Sequence, residues 1–160
     1  MSERQYPLAS YKRRSLAWIL DATVVSVPVG FIISGFGLES KQIVHVVKHK
    51  LVSSPAPIHF GTRILEGLIW VVMFTLYYAI MEASSKGQTL GKRWTGIATV
   101  RIDNGLSLSY PRAAIRGLIS SGLIAAGLLL GIVSYLWPIW DHKRRTFHDM
   151  AVGSAVISVY

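Results

Sequence analysis

Asp21 is the residue whose placement most needs an explanation. It stands in an otherwise uncharged run from Leu16 to Leu38. An Asp at the centre of a membrane helix costs about 2.5–3.5 kcal/mol on insertion scales. The group must therefore be protonated, paired or turned towards a water-filled cavity. Two roles fit that requirement, a titrating group on an ion path or a polar bond that fastens helices together. Arg14 lies seven residues earlier, about two helical turns, so both side chains project from one face. They are separated by about 10 Å of helical rise, and Arg14 can reach back to the headgroups. Direct pairing is strained, and each is expected to meet a partner on another helix. Arg112 and Arg116, one turn apart, are available to Asp21, while Arg14 alone also serves as a topology determinant.

Three further groups of residues could carry chemistry. Asp141, Arg145 and Asp149 follow at i, i+4 and i+8 and would form a charge ladder if that stretch is helical. His148 beside Asp149 could act as an acid/base pair, since histidine titrates near neutral pH, or serve only in capping and packing. Gly87-Gln88-Thr89-Leu90-Gly91-Lys92 resembles a phosphate loop superficially, but three residues separate its glycines where that loop has four, and Arg93 stands where Ser or Thr is required. Gly87, Gln88, Gly91 and Lys92 could still turn around a lipid phosphate, or simply end a helix. His45 and His49 have zinc-ligand spacing, with His59 as a third candidate. No carboxylate falls at helical spacing beside them, so a basic face on an interfacial helix is the better reading and no metal is expected. No Ser-His-Asp order, His-Glu-x-x-His pattern or cofactor motif is present, so no enzyme and no cofactor are expected.

The elements that hold these residues follow from composition. The chain has 160 residues, 51% hydrophobic and 16% charged. A soluble domain carries about a quarter charged residues. The formal net charge is +9, but the basic residues flank apolar runs instead of forming one stripe. That placement fits anionic headgroups and topology control better than nucleic acid. Cysteine is absent, which removes disulfide and thiolate chemistry.

Spans of about 20 mostly apolar residues cross a bilayer. Three stretches qualify, at about 16–38, 64–81 and 117–140. The first is longer than a cleaved leader's apolar region and carries an acid, which favours an uncleaved anchor. Between the first two, Ile43, Val46, Val47 and Leu51 recur at helical spacing, predicting an interfacial helix over about 41–52 that Pro55 and Pro57 end. The run Ile97–Ile102, then Asp103-Asn104-Gly105, then the alternating Leu106–Tyr110 predicts a small β-hairpin outside the bilayer over about 97–110. The fold class expected is an all-α membrane protein of one domain, residues 1–160, with three membrane helices and this hairpin.

Topology is set by basic residues. Arg4, Lys12, Arg13 and Arg14 place the N-terminus inside, and Lys86, Lys92, Arg93 and Arg101 place the second linker inside as well. A straight third span would carry Lys143, Arg144 and Arg145 outside. A broken, re-entrant segment bending near Gly127 to Gly131 would return them inside, provided that its backbone is buried in protein or lines a wet cavity. Length alone favours the straight span.

Three pieces in order resemble the RDD family of bacterial membrane proteins. They are Arg14-Ser15-Leu16-Ala17-Trp18-Ile19-Leu20-Asp21; Gly87 to Lys92 with Gly96-Ile97, Arg112 and Arg116; and Asp141 through Arg144-Arg145-Thr146 to His148-Asp149. The Arg and two Asp for which that family is named map onto Arg14, Asp21 and Asp149. Ser154 stands where the family usually has Thr. The resemblance implies a multi-pass protein of the bacterial cytoplasmic (inner) membrane, and a role in transport, including cation/proton exchange for some members. Two functions follow as expectations. One is an oligomeric transporter of a cation or proton using Asp21. The other is a non-catalytic membrane subunit or assembly factor in which the charges are glue. Either implies the lipid bilayer and a homo-oligomer or membrane-protein partner, and no nucleic acid.

Overall fold

The computed structural model describes residues 7–38, 42–47, 50–55 and 60–159. Two long helices dominate it, α1 (Tyr11–Gly35) and α2 (Phe60–Glu82). Ser10 caps α1, its hydroxyl accepting from the Arg13 amide. Both are long and apolar enough to cross a membrane, with mean hydropathy 2.0 and 1.9. Only 22% and 11% of those apolar windows are buried within the chain, so most of their surface faces outward, as lipid-facing helices require.

Between them the expected interfacial helix over 41–52 is replaced by an antiparallel strand pair, β1 (Gln42–Val47) and β2 (Lys50–Pro55), in register Val47↔Lys50 to Gln42↔Pro55. Ile43, Val44, Val46 and Val47 are β-branched, and their stiff χ1 favours extended backbone over helix. His45 lies on β1. His49 and His59, and with them the zinc spacing weighed for the pair, lie outside the described residues.

The third apolar stretch is not a straight span. It forms α4 (Tyr110–Ala126), breaks at Gly127, and continues as α5 (Leu128–Leu136) with a 3₁₀ turn over Trp137–Ile139. The extended backbone at Gly127 turns α5 back along α4. Gly131 makes this return possible, because a Cβ there would press on the Ile124 side chain at 2.8 Å. The ring of Tyr135 reaches Trp18 of α1, and its hydroxyl donates to the Arg14 carbonyl at 3.2 Å. The segment following α5 therefore returns to the end of the molecule where α1 and α4 begin.

A small polar layer covers that end. It consists of α3 (Leu90–Thr95), β3 (Ile97–Arg101), α6 (Phe147–Val152) and β4 (Ser154–Ser158). The hairpin expected over 97–110 does not form. Residues 102–105 do turn, with the Arg101 amide bonded to the Leu106 carbonyl, but Leu106–Ser109 is not a strand. Instead β3 pairs antiparallel with β4, from Ile97↔Ser158 to Arg101↔Ser154. The residues before α1 add a third edge, with Ala9 and Pro7 bonded to Val156 and Ser158. Ala9, Ala17, Ile97 and Val156 form a core beneath, burial that no local hairpin could supply.

Candidate functional site

The polar layer meets the helices through two adjoining clusters of buried charge. The first surrounds Asp21, which is 1% exposed. Its Oδ1 accepts from the Tyr77 hydroxyl at 2.6 Å and the Gly91 amide at 2.7 Å, and its Oδ2 accepts from the Thr89 hydroxyl at 2.6 Å. Tyr77 in turn accepts from the Leu90 amide. Thr89 caps α3 and Gly91 follows in its first turn, so of the two roles weighed for Gly87, Gln88, Gly91 and Lys92, lipid phosphate or helix-end turn, the stretch forms a turn whose Thr89 and Gly91 hold the protein's own carboxylate. Gly91 must be glycine: a Cβ would strike the Ala17 carbonyl and lie 2.9 Å from Asp21 Oδ1. Gly87 and Gln88 tie the loop to β3, the Gly87 carbonyl accepting from the Thr99 amide and the Gln88 side chain donating to the Ile97 carbonyl. Hydrogen bonds to a charged group contribute about 1.5–3 kcal/mol each. Three of them offset the insertion cost of Asp21.

The second cluster is ionic. Arg116 of α4 lies between two carboxylates, donating to Glu82 at 2.6 Å and to Asp149 at 2.7 and 2.9 Å. Arg14 of α1 reaches the other oxygen of Asp149 at 3.4 Å. Lys92 of α3 pairs with Glu82 and donates to Thr99 of β3 at 2.5 Å. Asp149 also accepts from the Thr146 amide at 3.1 Å, completing the capping box of α6, and from Ser154 at 3.3 Å. Three cations and two carboxylates give +1, and Asp21 nearby brings the buried sum to zero. Removing one member of such a network leaves an uncompensated buried charge.

The environment shifts the groups of the polar layer in different directions. Burial lowers the Lys92 pKa, Arg116 lowers it further, and Glu82 opposes the change. Burial works against ionised Asp149, but Arg116, His148 and Arg14 outweigh it and hold its carboxyl well below the usual range. Burial, with Arg116, pushes His148 down to about 3, so the imidazole is neutral at pH 7. Its Nδ1 has no hydrogen-bond partner, which does not fit the expected pairing with Asp149. Arg14 Nε and Nη2 and Glu82 Oε2 are likewise buried without a partner, each a cost of about 1–3 kcal/mol or more. A cavity of about 40 Å³ lies among Arg14, Asp21, Lys92, Arg116, His148 and Asp149.

Arg14, Asp21, Arg116, His148 and Asp149 thus converge, as does Lys92, but not in the expected pairs. Arg116 serves Glu82 and Asp149, and Asp21 has no cationic partner. Arg112 is corrected as a partner of Asp21, since it is exposed at the rim, 4.0 Å from Asp103. The ladder expected of Asp141, Arg145 and Asp149 does not form, because helix α6 begins only at Phe147. Asp141 and Arg145 pair with each other at 3.0 Å, and this contact holds the Asp141 carboxyl down at about 2. Glu82, Thr89, Tyr77 and Thr99 are the functional residues that sequence reasoning missed. Glu82 carried a readable signal, as an acid at the end of an apolar span near three cations. Among the described residues, no group of three His, Cys, Asp or Glu is placed to hold a metal.

A family model described as the RDD family matches residues 8–153. No curated protein and no solved structure matches the chain.

Proposed function

Because the chain belongs to the RDD family, we propose that it is a membrane protein acting as a non-catalytic subunit or assembly factor, whose buried charges fasten its helices to a polar cap. Asp21 carries this reading. Donors from the protein take three of its about four acceptor positions, which leaves little of it for a transported cation. A carboxylate held this way acts as a joint between α1, α2 and α3. Basic residues at the end carrying the cap, including Lys12, Arg13, Lys86, Arg93, Lys143 and Arg144, favour the cytoplasmic side for that end. A partner has a surface to meet: α1, α2 and α4 leave an apolar groove of about 600 Å³ walled by Trp18, Trp70, Phe74 and Ile124. Photo-cross-linking from position 70 in native membranes should trap one reproducible membrane-protein adduct, a second copy included. Failure to trap any would sink the subunit reading.

The alternative is an oligomeric transporter of a cation or proton. The unpartnered Glu82 Oε2 and His148 Nδ1 beside the charged cavity favour it. Its test is pH-gradient-driven cation flux in proteoliposomes, comparing wild type with Asp21→Asn and Glu82→Gln. The subunit reading expects no flux above empty vesicles. Flux that disappears in a folded Glu82→Gln variant would establish transport instead.

A further inference from the structure

Arg14 faces two spaces. Its paired nitrogen belongs to the ionic cluster, but Nε and Nη2 are buried with no partner in a side chain that is 7% exposed. Besides the charged cavity, Arg14 lines a separate pocket of about 290 Å³ at the polar end of the helices, together with Ala9, Tyr11, Pro138, Ile139 and Arg144. Among the described residues, no carboxylate lines this pocket. Arg144 is held at its mouth by a left-handed backbone, φ 49°, in a turn closed by the Asp141 carbonyl. Two arginines, one of them with two nitrogens that Asp149 does not reach, describe an anion site, and guanidinium matches phosphate geometry closely.

The pocket shares a wall residue with an apolar space. Tyr11 also lines a groove of about 220 Å³ between α1 and α5, walled by Trp18, Leu128, Ile132 and Tyr135. Exposed Ile139 lines the polar pocket and exposed Trp140 follows it in the chain, an aromatic of the kind that sits at headgroup level in an embedded protein. A polar anion site joined at one residue to an apolar furrow along a membrane helix has the shape of an anionic amphiphile. We infer that the space between Arg14 and Arg144 seats the phosphate of an anionic phospholipid, with one acyl chain in the α1–α5 groove. This inference rests on the membrane reading above. Seating the phosphate requires a turn of the Arg14 guanidinium, which gives its two unpartnered nitrogens the acceptors they lack.

The test uses the full chain in mild detergent, exchanged into equal amounts of phosphatidylglycerol and phosphatidylcholine and released for native mass spectrometry. Phosphatidylglycerol should be retained in excess, on the order of tenfold, the scale of one charge-assisted pair. Arg144→Asn keeps a residue that tolerates the left-handed backbone and should abolish the excess without changing the melting temperature in lipid-free detergent. Leu128→Trp, filling the groove, should reduce retention of both lipids. Equal retention of the two lipids by wild type, or an undiminished excess in Arg144→Asn, would overturn the site. Tight binding of glycerophosphoglycerol, the same headgroup without chains, would overturn the lipid assignment in favour of a free phosphate ester. A chain that stays in solution without detergent would defeat the membrane reading itself, an outcome distinct from these.

Discussion

Asp21 and Asp149 are both shut away from solvent, yet opposite kinds of partner satisfy them. Asp21 sits among neutral donors, two hydroxyls and an amide, with both oxygens engaged. Asp149 takes two guanidinium groups as well as neutral donors, within a network that leaves four nitrogen and oxygen atoms on Arg14, Glu82 and His148 unpaired. The first arrangement is short-range and directional, and depends on one loop following α1 closely. The second is long-range and spreads over α1, α2, α3, α4 and α6, tolerating imperfect geometry because charge attracts at a distance. The contrast separates a joint from a reservoir of unused polar groups, and it locates any ligand chemistry beside the ionic network.

The largest expected effect comes from breaking the ionic side. Asp149→Ala leaves Arg116 and Arg14 without their shared acceptor and should cost about 3–5 kcal/mol, read as loss of the folded species on thermal melting in detergent. A loss under about 1 kcal/mol would mean that Glu82 alone can hold both arginines. Asp21→Asn should be milder, about 1–3 kcal/mol, because the new amide can accept on only one side and faces donors on the other. If it proved as damaging as Asp149→Ala, the distinction between the two clusters would collapse.

The most gradual effect is a pH slope. The folded pKa of His148 is depressed to about 3 from 6.5, so the unfolded chain takes up a proton first. Stability should therefore be full above pH 6.5 and decline as pH falls towards 3, by at most about 1.4 kcal/mol per pH unit for this group. His148→Phe should flatten the decline between pH 6 and 4. The depressed Asp149 carboxyl adds its own loss only below the ordinary carboxylate range. An unchanged slope in the variant would show that other groups set it.

The sequence made the two long apolar helices legible because length and apolarity suffice for them, though not the break in the third stretch, and it marked Asp21 as a group in need of partners. It did not identify those partners. Thr89 and Gly91 lie 68 and 70 residues away, and their motif is equally suited to phosphate. Asn104-Gly105 made a turn as expected, but the strand that β3 accepts is Ser154–Ser158, chosen by burial on Ala9 and Ile97. At Ile43–Leu51 one set of spacings satisfied a helix while β-branched composition favoured strands, and composition prevailed. Gly127 lay within the region marked for a possible bend. Length argued for a straight span, whereas the contacts of Tyr135 and Asp149 with α1 required a return.

The break at Gly127 has a consequence for how the protein is made. On the membrane reading proposed above, the return of α5 brings Arg144 to the pocket that Arg14 lines, and the basic run Lys143 to Arg145 need not be carried across the bilayer, sparing insertion about 2.5–3.5 kcal/mol for each charge placed at mid-depth. Synthesis then imposes an order. Arg14, Glu82, Lys92 and Arg116 emerge before Asp149, so a partly made chain holds three cations against one acid at the site of the network. Closure waits for α6 and for β4, which clamps the earlier β3. The network thus closes last, as a latch: until Asp149 arrives, Arg14 and Arg116 lack the acceptor they share.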